Sequence, residues 1–194
     1  MTQSHPFQLV LHHRYAEGLR DLSGHGNHGA SVSAVAARSG ALAFDGMSSR
    51  VFVPPSPSLS RAGGIRADVV ARAAELGRRR TLVEGYLSFS LTVEADGSLA
   101  GGVLQHGGWS STWSRPGLVP PDTWLRMSLV CTSDGIVALE LDGQVVGESH
   151  RWPAAPAGIR WPFGLSIGAW PDDDQRVWSG EIEEVRMWRS PATE

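Results

Sequence analysis

Four Asp-Gly pairs punctuate the chain, at residues 45–46, 96–97, 134–135 and 142–143. Alternating apolar and polar runs flank them. Residues 86–93 alternate before Asp96-Gly97, and residues 99–104 answer as a partner. Residues 124–130 lead to Asp134-Gly135, residues 136–141 follow, and Asp142-Gly143 turns into residues 144–146. Alternation with period two is the signature of a half-buried strand. Asp-Gly between two such runs marks a hairpin, because both central residues of a type I′ turn need positive φ. A chain written this way pairs neighbouring strands and does not pack helices.

The remaining segments agree. Residues 7–11 read as an opening strand, and residues 41–44 as a short one ending at Asp45-Gly46. Residues 51–53 are stopped by Pro54-Pro55, and residues 163–168 and 177–188 supply the last strands. One segment conflicts with itself. Residues 71–80 are rich in Ala, Leu, Glu and Arg, a helical composition. Yet Ile65, Ala67, Val69 and Ala71 alternate, so a strand is expected to about residue 73, followed by a loop or short turn. About a dozen strands and no helix predict an all-β, two-sheet antiparallel β-sandwich. The 23 Gly and 12 Pro are spread along 194 residues, and neither a repeat nor a linker is visible. One domain over residues 1–194 is therefore expected.

A net charge of −3 offers no footprint for nucleic acid or an anionic membrane. No stretch nears the ~20 apolar residues of a membrane span. The start MTQSHPFQLVLHH lacks the basic and apolar regions of a secretory signal. A cytoplasmic location, export without a cleaved signal, and a leader already removed all stay open, as does the oligomeric state. The single cysteine, Cys131, lies in the apolar run 127–131, which predicts a buried, inert thiol.

The ordered succession of short motifs resembles a known family. Asp21 to Gly29 reads D-x-S-G-x-G-N-x-G, and Leu42 to Gly46 reads L-x-F-D-G. Val51 to Pro54, Asp96 to Leu99, Trp124 to Val130, Leu141 to Gly143 and a closing Gly180 to Trp188 follow in turn. The series, over about residues 7–190, resembles the laminin-G-like, concanavalin A-like lectin-glucanase jelly rolls, including the bacterial pentraxin-related branch. The resemblance implies two curved sheets of six or seven strands, with the two chain ends side by side.

The segment 21–29, DLSGHGNHG, joins His12 and His13 to place four imidazoles close together in sequence. Zinc sites want about four nitrogen or sulfur ligands. His25 and His28 have a suitable spacing, but no cysteine joins them. His12 and His13 are adjacent on a strand and so face opposite ways. The histidines are expected to be incidental. The resemblance implies instead one structural Ca2+, held by Asp21, Asn27, Asp45 and Glu183, since calcium takes six to eight oxygens. The alternative is that Asp21 and Asn27 brace their own loop through Asx-turn bonds.

Catalysis is not expected. Related glucanases use three carboxylates on one strand, and the strip Gly180 to Glu184 has Val185 where the third would stand. No G-x-S-x-G elbow and no phosphate loop is present. The stretch Gln105 to Arg115 is more informative. It reads as a Gly/Ser loop that carries His106, Trp109, Trp113 and Arg115, and Trp170 sits in a second polar loop. Sugars bind aromatic platforms flanked by hydrogen-bonding groups. The alternative is that Trp109 and Trp113 cover a sheet edge. Trp124, Trp178 and Trp188 fall within expected strands and should be core. The sequence thus points to a non-catalytic, lectin-like module for a carbohydrate or glycoconjugate. The rival reading is a structural or protein-interaction subunit of a larger assembly, with no sugar affinity.

Overall fold

The structure is a computed structural model that describes residues 7–33, 37–38, 40–105, 108–149, 158–172 and 176–192. Its strands, in chain order, are β1 (Gln8–Arg14), β2 (Ala30–Val32), β3 (Ala37–Arg38), β4 (Ala41–Asp45), β5 (Arg50–Val53) and β6 (Arg61–Ala62). Then come β7 (Gly64–Ala73), β8 (Arg80–Gly85), β9 (Phe89–Val93), β10 (Leu99–Gln105), β11 (Gly108–Trp113) and β12 (Leu125–Cys131). The last are β13 (Val137–Leu141), β14 (Gln144–Ser149), β15 (Ile159–Arg160), β16 (Leu165–Ile167) and β17 (Ser179–Ser190).

Eight strands form one sheet in the order β14-β13-β12-β7-β17-β4-β3, with β1 also paired to β17. Seven form a second sheet, in the order β11-β10-β9-β8-β16-β5-β2, and β6 and β15 make a small ribbon. All the pairings are antiparallel. The β-sandwich is therefore the observed architecture. Strand β17 pairs with β4 through residues 179–182 and with β1 through residues 184–189. The first and last strands lie side by side, as the resemblance implied. No helix among the described residues is long and apolar enough to cross a membrane.

The core fills the space between the two sheets. In β7, Ile65, Ala67, Val69, Ala71 and Ala73 all point inward and are buried. Pairing with β12 on one side and β17 on the other satisfies the backbone of β7 and overrides the helical bias of its Ala and Arg residues. The strand ends at residue 73, where the alternation stops. Opposite it, Phe89, Leu91 and Val93 of β9 are wholly buried, and the Phe89 ring packs edge-on against Trp161 at 5.1 Å. Cys131 is buried among these residues, and desolvation pushes its thiol pKa up.

Three of the four Asp-Gly pairs close hairpins: β9–β10, β12–β13 and β13–β14. Only Asp142-Gly143 has both residues at positive φ, 50° and 82°. At Asp96-Gly97 and Asp134-Gly135 the glycine alone is left-handed, at 76° and 99°. These are longer loops that end in a left-handed glycine. Asp45-Gly46 corrects the expectation. It closes no hairpin, because β4 belongs to one sheet and β5 to the other. The Asp45 carboxylate instead accepts the backbone N–H groups of Met47, Ser48 and Ser49 at 2.8–3.0 Å, and so shapes a crossover between sheets.

Two tryptophans expected in the core are not there. Trp124 precedes β12 and is exposed, with the Arg72 guanidinium 5.3 Å from its ring centroid. Trp188 is half-buried on the outer face of the eight-stranded sheet, beneath Arg66 at 5.9 Å. Both rings stack under cations, which stabilises an aromatic left partly in water. Trp178 is wholly buried, as expected.

Candidate functional site

Strands β9, β10 and β11 form one end of the seven-stranded sheet, and their alternation builds its outer face. Phe89, Leu91 and Val93 face the core, so Ser90 and Thr92 face outward. Leu99 and Val103 of β10 face the core, so Ala100 and Gly102 face outward. Trp113 lies opposite Ala100, Ser111 opposite Gly102 and Trp109 opposite Leu104. The stretch expected as a Gly/Ser loop is thus a strand, because pairing with β10 holds Gly108–Trp113 extended, and these three side chains share the outer face. Trp109 is 43% exposed and Trp113 is 54% exposed, far too open for core residues.

Ser90, Thr92, Ala100 and Ser111 form the floor of a groove of about 170 Å3. Trp109 and Trp113 are one wall, and Trp170 and Arg176 are the other. The hydroxyls of Ser90 and Ser111 have no hydrogen bond to the described residues, and that of Thr92 reaches only two oxygens, both at 3.5 Å. At 3.5 Å such contacts are marginal. Gly102 lies between Ser90 and Ser111 in register, and a Cβ there would collide with Ser111. The floor is thus low, polar and rich in unused hydroxyls.

The far wall comes from the loop after β16. Gly168 donates its N–H to the Leu82 carbonyl at 2.9 Å, and Leu82 is the extra residue of a bulge in β8. Ser166 donates its hydroxyl to the Ala169 carbonyl at 2.7 Å, and Arg50 donates to the Pro171 carbonyl at 3.2 Å. The Tyr86 hydroxyl bonds the Asp172 carboxylate, which pushes the phenol pKa up. Trp170 is held between Tyr86, at 6.4 Å between centroids, and the Arg176 guanidinium, at 4.8 Å. At the Trp113 end of the groove, Arg79 pairs with Glu94 at 2.8 Å.

Beneath this loop lies a residue the sequence did not single out. Glu84 is opposite Ser90 in β9 and Ser166 in β16, and it is wholly buried. Neither of its carboxylate oxygens has a hydrogen-bond partner among the described residues. Burial pushes its pKa up to about 9, against a smaller lowering by Arg176. The bulge hides it from sequence reasoning, because an extra residue at Leu82 breaks the alternation that would have placed its face.

The other expected positions fall as follows. Trp109, Trp113 and Trp170 line one groove, though Trp170 is remote in sequence. Arg115 is exposed beyond the end of β11 and does not line it. His106 lies outside the described residues. Ser90, Thr92, Arg79, Glu94 and Arg176 were not anticipated, and only the outward phase of β9 signalled the first two.

The Asp21 carboxylate accepts the backbone N–H groups of His12, Ser23 and Asn27, each at 2.9 Å, and the Ser23 hydroxyl at 2.8 Å. Burial works against its charge, but these donors outweigh it and hold its pKa below the ordinary value. Asn27 donates to the Val10 carbonyl at 2.6 Å and the Ser58 hydroxyl at 2.8 Å, and accepts from Ser56 at 2.5 Å. These bonds match the loop-bracing alternative. Asp45 serves its own turn, and Glu183 is the exposed extra residue of a bulge in β17. Among the described residues, no group of three His, Cys, Asp or Glu side chains could hold a metal ion. The histidines scatter. His13 is buried and bonds the Asn27 carbonyl, while His12 pairs with Glu184 at 2.8 Å on the opposite face. His25 is exposed, and His28 accepts the Asp21 N–H at 3.0 Å.

No family model matches the chain, and no curated protein matches it. The fold recurs in solved structures. Domain 4 of AbnA, a GH43 extracellular arabinanase from Geobacillus stearothermophilus, in complex with arabinotriose, superposes with a TM-score of 0.73 at 16% identity. That alignment covers 96% of this chain and 95% of that domain. The binding domain of Paraclostridial Mosquitocidal Protein 1 gives 0.72 at 12% identity, over 96% of this chain and 50% of the other. The ligand-binding domain of botulinum neurotoxin serotype D, in complex with N-acetylneuraminic acid, gives 0.71 at 10% identity, over 96% and 48%. This chain spans about half the length of the toxin domains. At these identities the likeness is one of fold.

Proposed function

We propose that this protein is a non-catalytic carbohydrate-binding module, and that the groove between Trp109, Trp113 and Trp170 is its sugar site. The observation that carries the reading is three tryptophans around a floor of unused hydroxyls. A sugar presents C–H faces to aromatic rings and hydroxyls to polar groups, and this groove supplies both. The ligands in two of the solved relatives, arabinotriose and N-acetylneuraminic acid, support the same class of partner. The non-catalytic part rests on the carboxylates. Glu94 is tied to Arg79, and Glu84 is wholly buried and holds its proton below the groove.

A glycan array followed by titration calorimetry tests the reading, with Trp113→Ala as the control. Binding of at least one saccharide at micromolar to millimolar Kd is expected, with about a tenfold or greater loss in the variant. No saccharide affinity at all, in a protein that light scattering shows to be a stable oligomer, would favour the assembly role instead.

A further inference from the structure

The groove's geometry also bears on which part of a glycan it takes. We propose that it binds the interior of an extended oligosaccharide laid along β11, and not a single terminal sugar; this rests on the sugar-binding reading above. Trp109 and Trp113 are four residues apart on one face of one strand. At about 3.3 Å per residue their backbones are roughly 13 Å apart. One pyranose or furanose ring does not span that distance, so a single sugar stacks on one tryptophan only. Two platforms in line are useful to a chain that continues past both.

The space between the platforms fits the same occupant. Ser111 lies midway, with Ser90 two strands away across the side-chain-free Gly102. Both hydroxyls are without partners among the described residues. They are placed to meet the hydroxyl edge of the sugars between the stacked ones. The wall formed by Trp170 and Arg176 stands across the floor from β11, so the two β11 tryptophans are not enclosed in one ring-sized pocket between facing aromatics. A pocket for a terminal sugar closes around one ring. Here Trp109 and Trp113 stand along β11 with Ser111 between them, and Ser90 adds a second hydroxyl across the floor.

The test is affinity against chain length. Linear arabino-, xylo- and cello-oligosaccharides, from monosaccharide to hexasaccharide, are titrated into wild type, Trp109→Ala and Trp113→Ala. Both tryptophans are solvent-exposed, so both variants should fold, and circular dichroism checks this. In the series that binds, affinity should rise about tenfold or more from monosaccharide to trisaccharide or tetrasaccharide and then level off. Each variant should flatten that rise, because one platform then remains. A monosaccharide that binds as tightly as the longer chains overturns the extended-chain proposal and leaves the sugar reading standing. So does a rise with length that either variant leaves intact. If no member of any series binds while a branched or terminal array glycan does, the proposal fails. If no saccharide binds at all, both readings fail together.

Discussion

Glu84 of β8 lies directly opposite Ser90 of β9, and the two have opposite fates. Ser90 lines the open groove, while Glu84 is wholly buried beneath the loop that carries Trp170. Arg176 offsets only part of the cost of burying this carboxylate, so the group keeps its proton instead.

That proton makes stability depend on pH. The unfolded carboxyl ionises near its ordinary value of 4.5, whereas the folded one holds its proton to about 9. Between those values the folded state binds more protons, so stability falls as pH rises, by up to about 1.4 kcal/mol per pH unit. Glu84→Gln removes this slope. Urea unfolding from pH 5 to pH 9 should show the variant gaining on wild type as pH rises. Parallel stability curves would refute the assignment.

The Asp21 loop carries the opposite sign. Its folded pKa is lowered from 3.8, so its contribution is present above that pH and lost as pH falls through the lower folded value. Asp21→Ala leaves the N–H groups of His12, Ser23 and Asn27 without their acceptor and should cost about 1–3 kcal/mol. If Asp21 and Asn27 act as braces, EDTA leaves the Tm of wild type unchanged. A calcium-dependent Tm that Asp21→Ala abolishes would establish the metal role instead.

Gly168 sets the position of Trp170. Its φ is 80°, and a Cβ there would strike the Phe44 ring. Gly168→Ala should lose about 1–2 kcal/mol from the left-handed backbone alone, and more from displacement of the ring. Gly77 has φ 100° with open space around it, so Gly77→Ala is the matched control. Both should lower Tm, but only the Gly168 variant should weaken saccharide binding. Equal loss of affinity in the two would remove the loop from the site.

Arg79 and Glu94 form an ion pair whose arginine is largely in solvent. Such a pair contributes less than about 1 kcal/mol to stability. Arg79→Ala should therefore leave thermal unfolding nearly unchanged while leaving the Glu94 charge uncompensated in the groove. Affinity for a neutral saccharide should drop severalfold, and Arg79→Lys should recover part of it. Unchanged binding in Arg79→Ala would place the pair outside the ligand's reach.

The sequence by itself determined the class of fold, because alternation and turn chemistry are local. The inward set Ile65, Ala67, Val69 and Ala71 and the hairpins at Gly97, Gly135 and Gly143 could be read from spacing alone. The common face of Trp109 and Trp113 was not legible, because the Gly and Ser around them read as a loop until pairing with β10 made the segment a strand. Tertiary structure decided what depends on pairing between distant segments. It sent β4 and β5 to different sheets at Asp45-Gly46 and brought Trp170 from a remote loop to the groove lined by Trp109 and Trp113. Through one extra residue at Leu82 and the loop laid over it, tertiary structure buried a glutamate that no local pattern marks. Strand period says which residues share a face. Only the partner strands and the loop above say whether that face meets water, a core or a ligand.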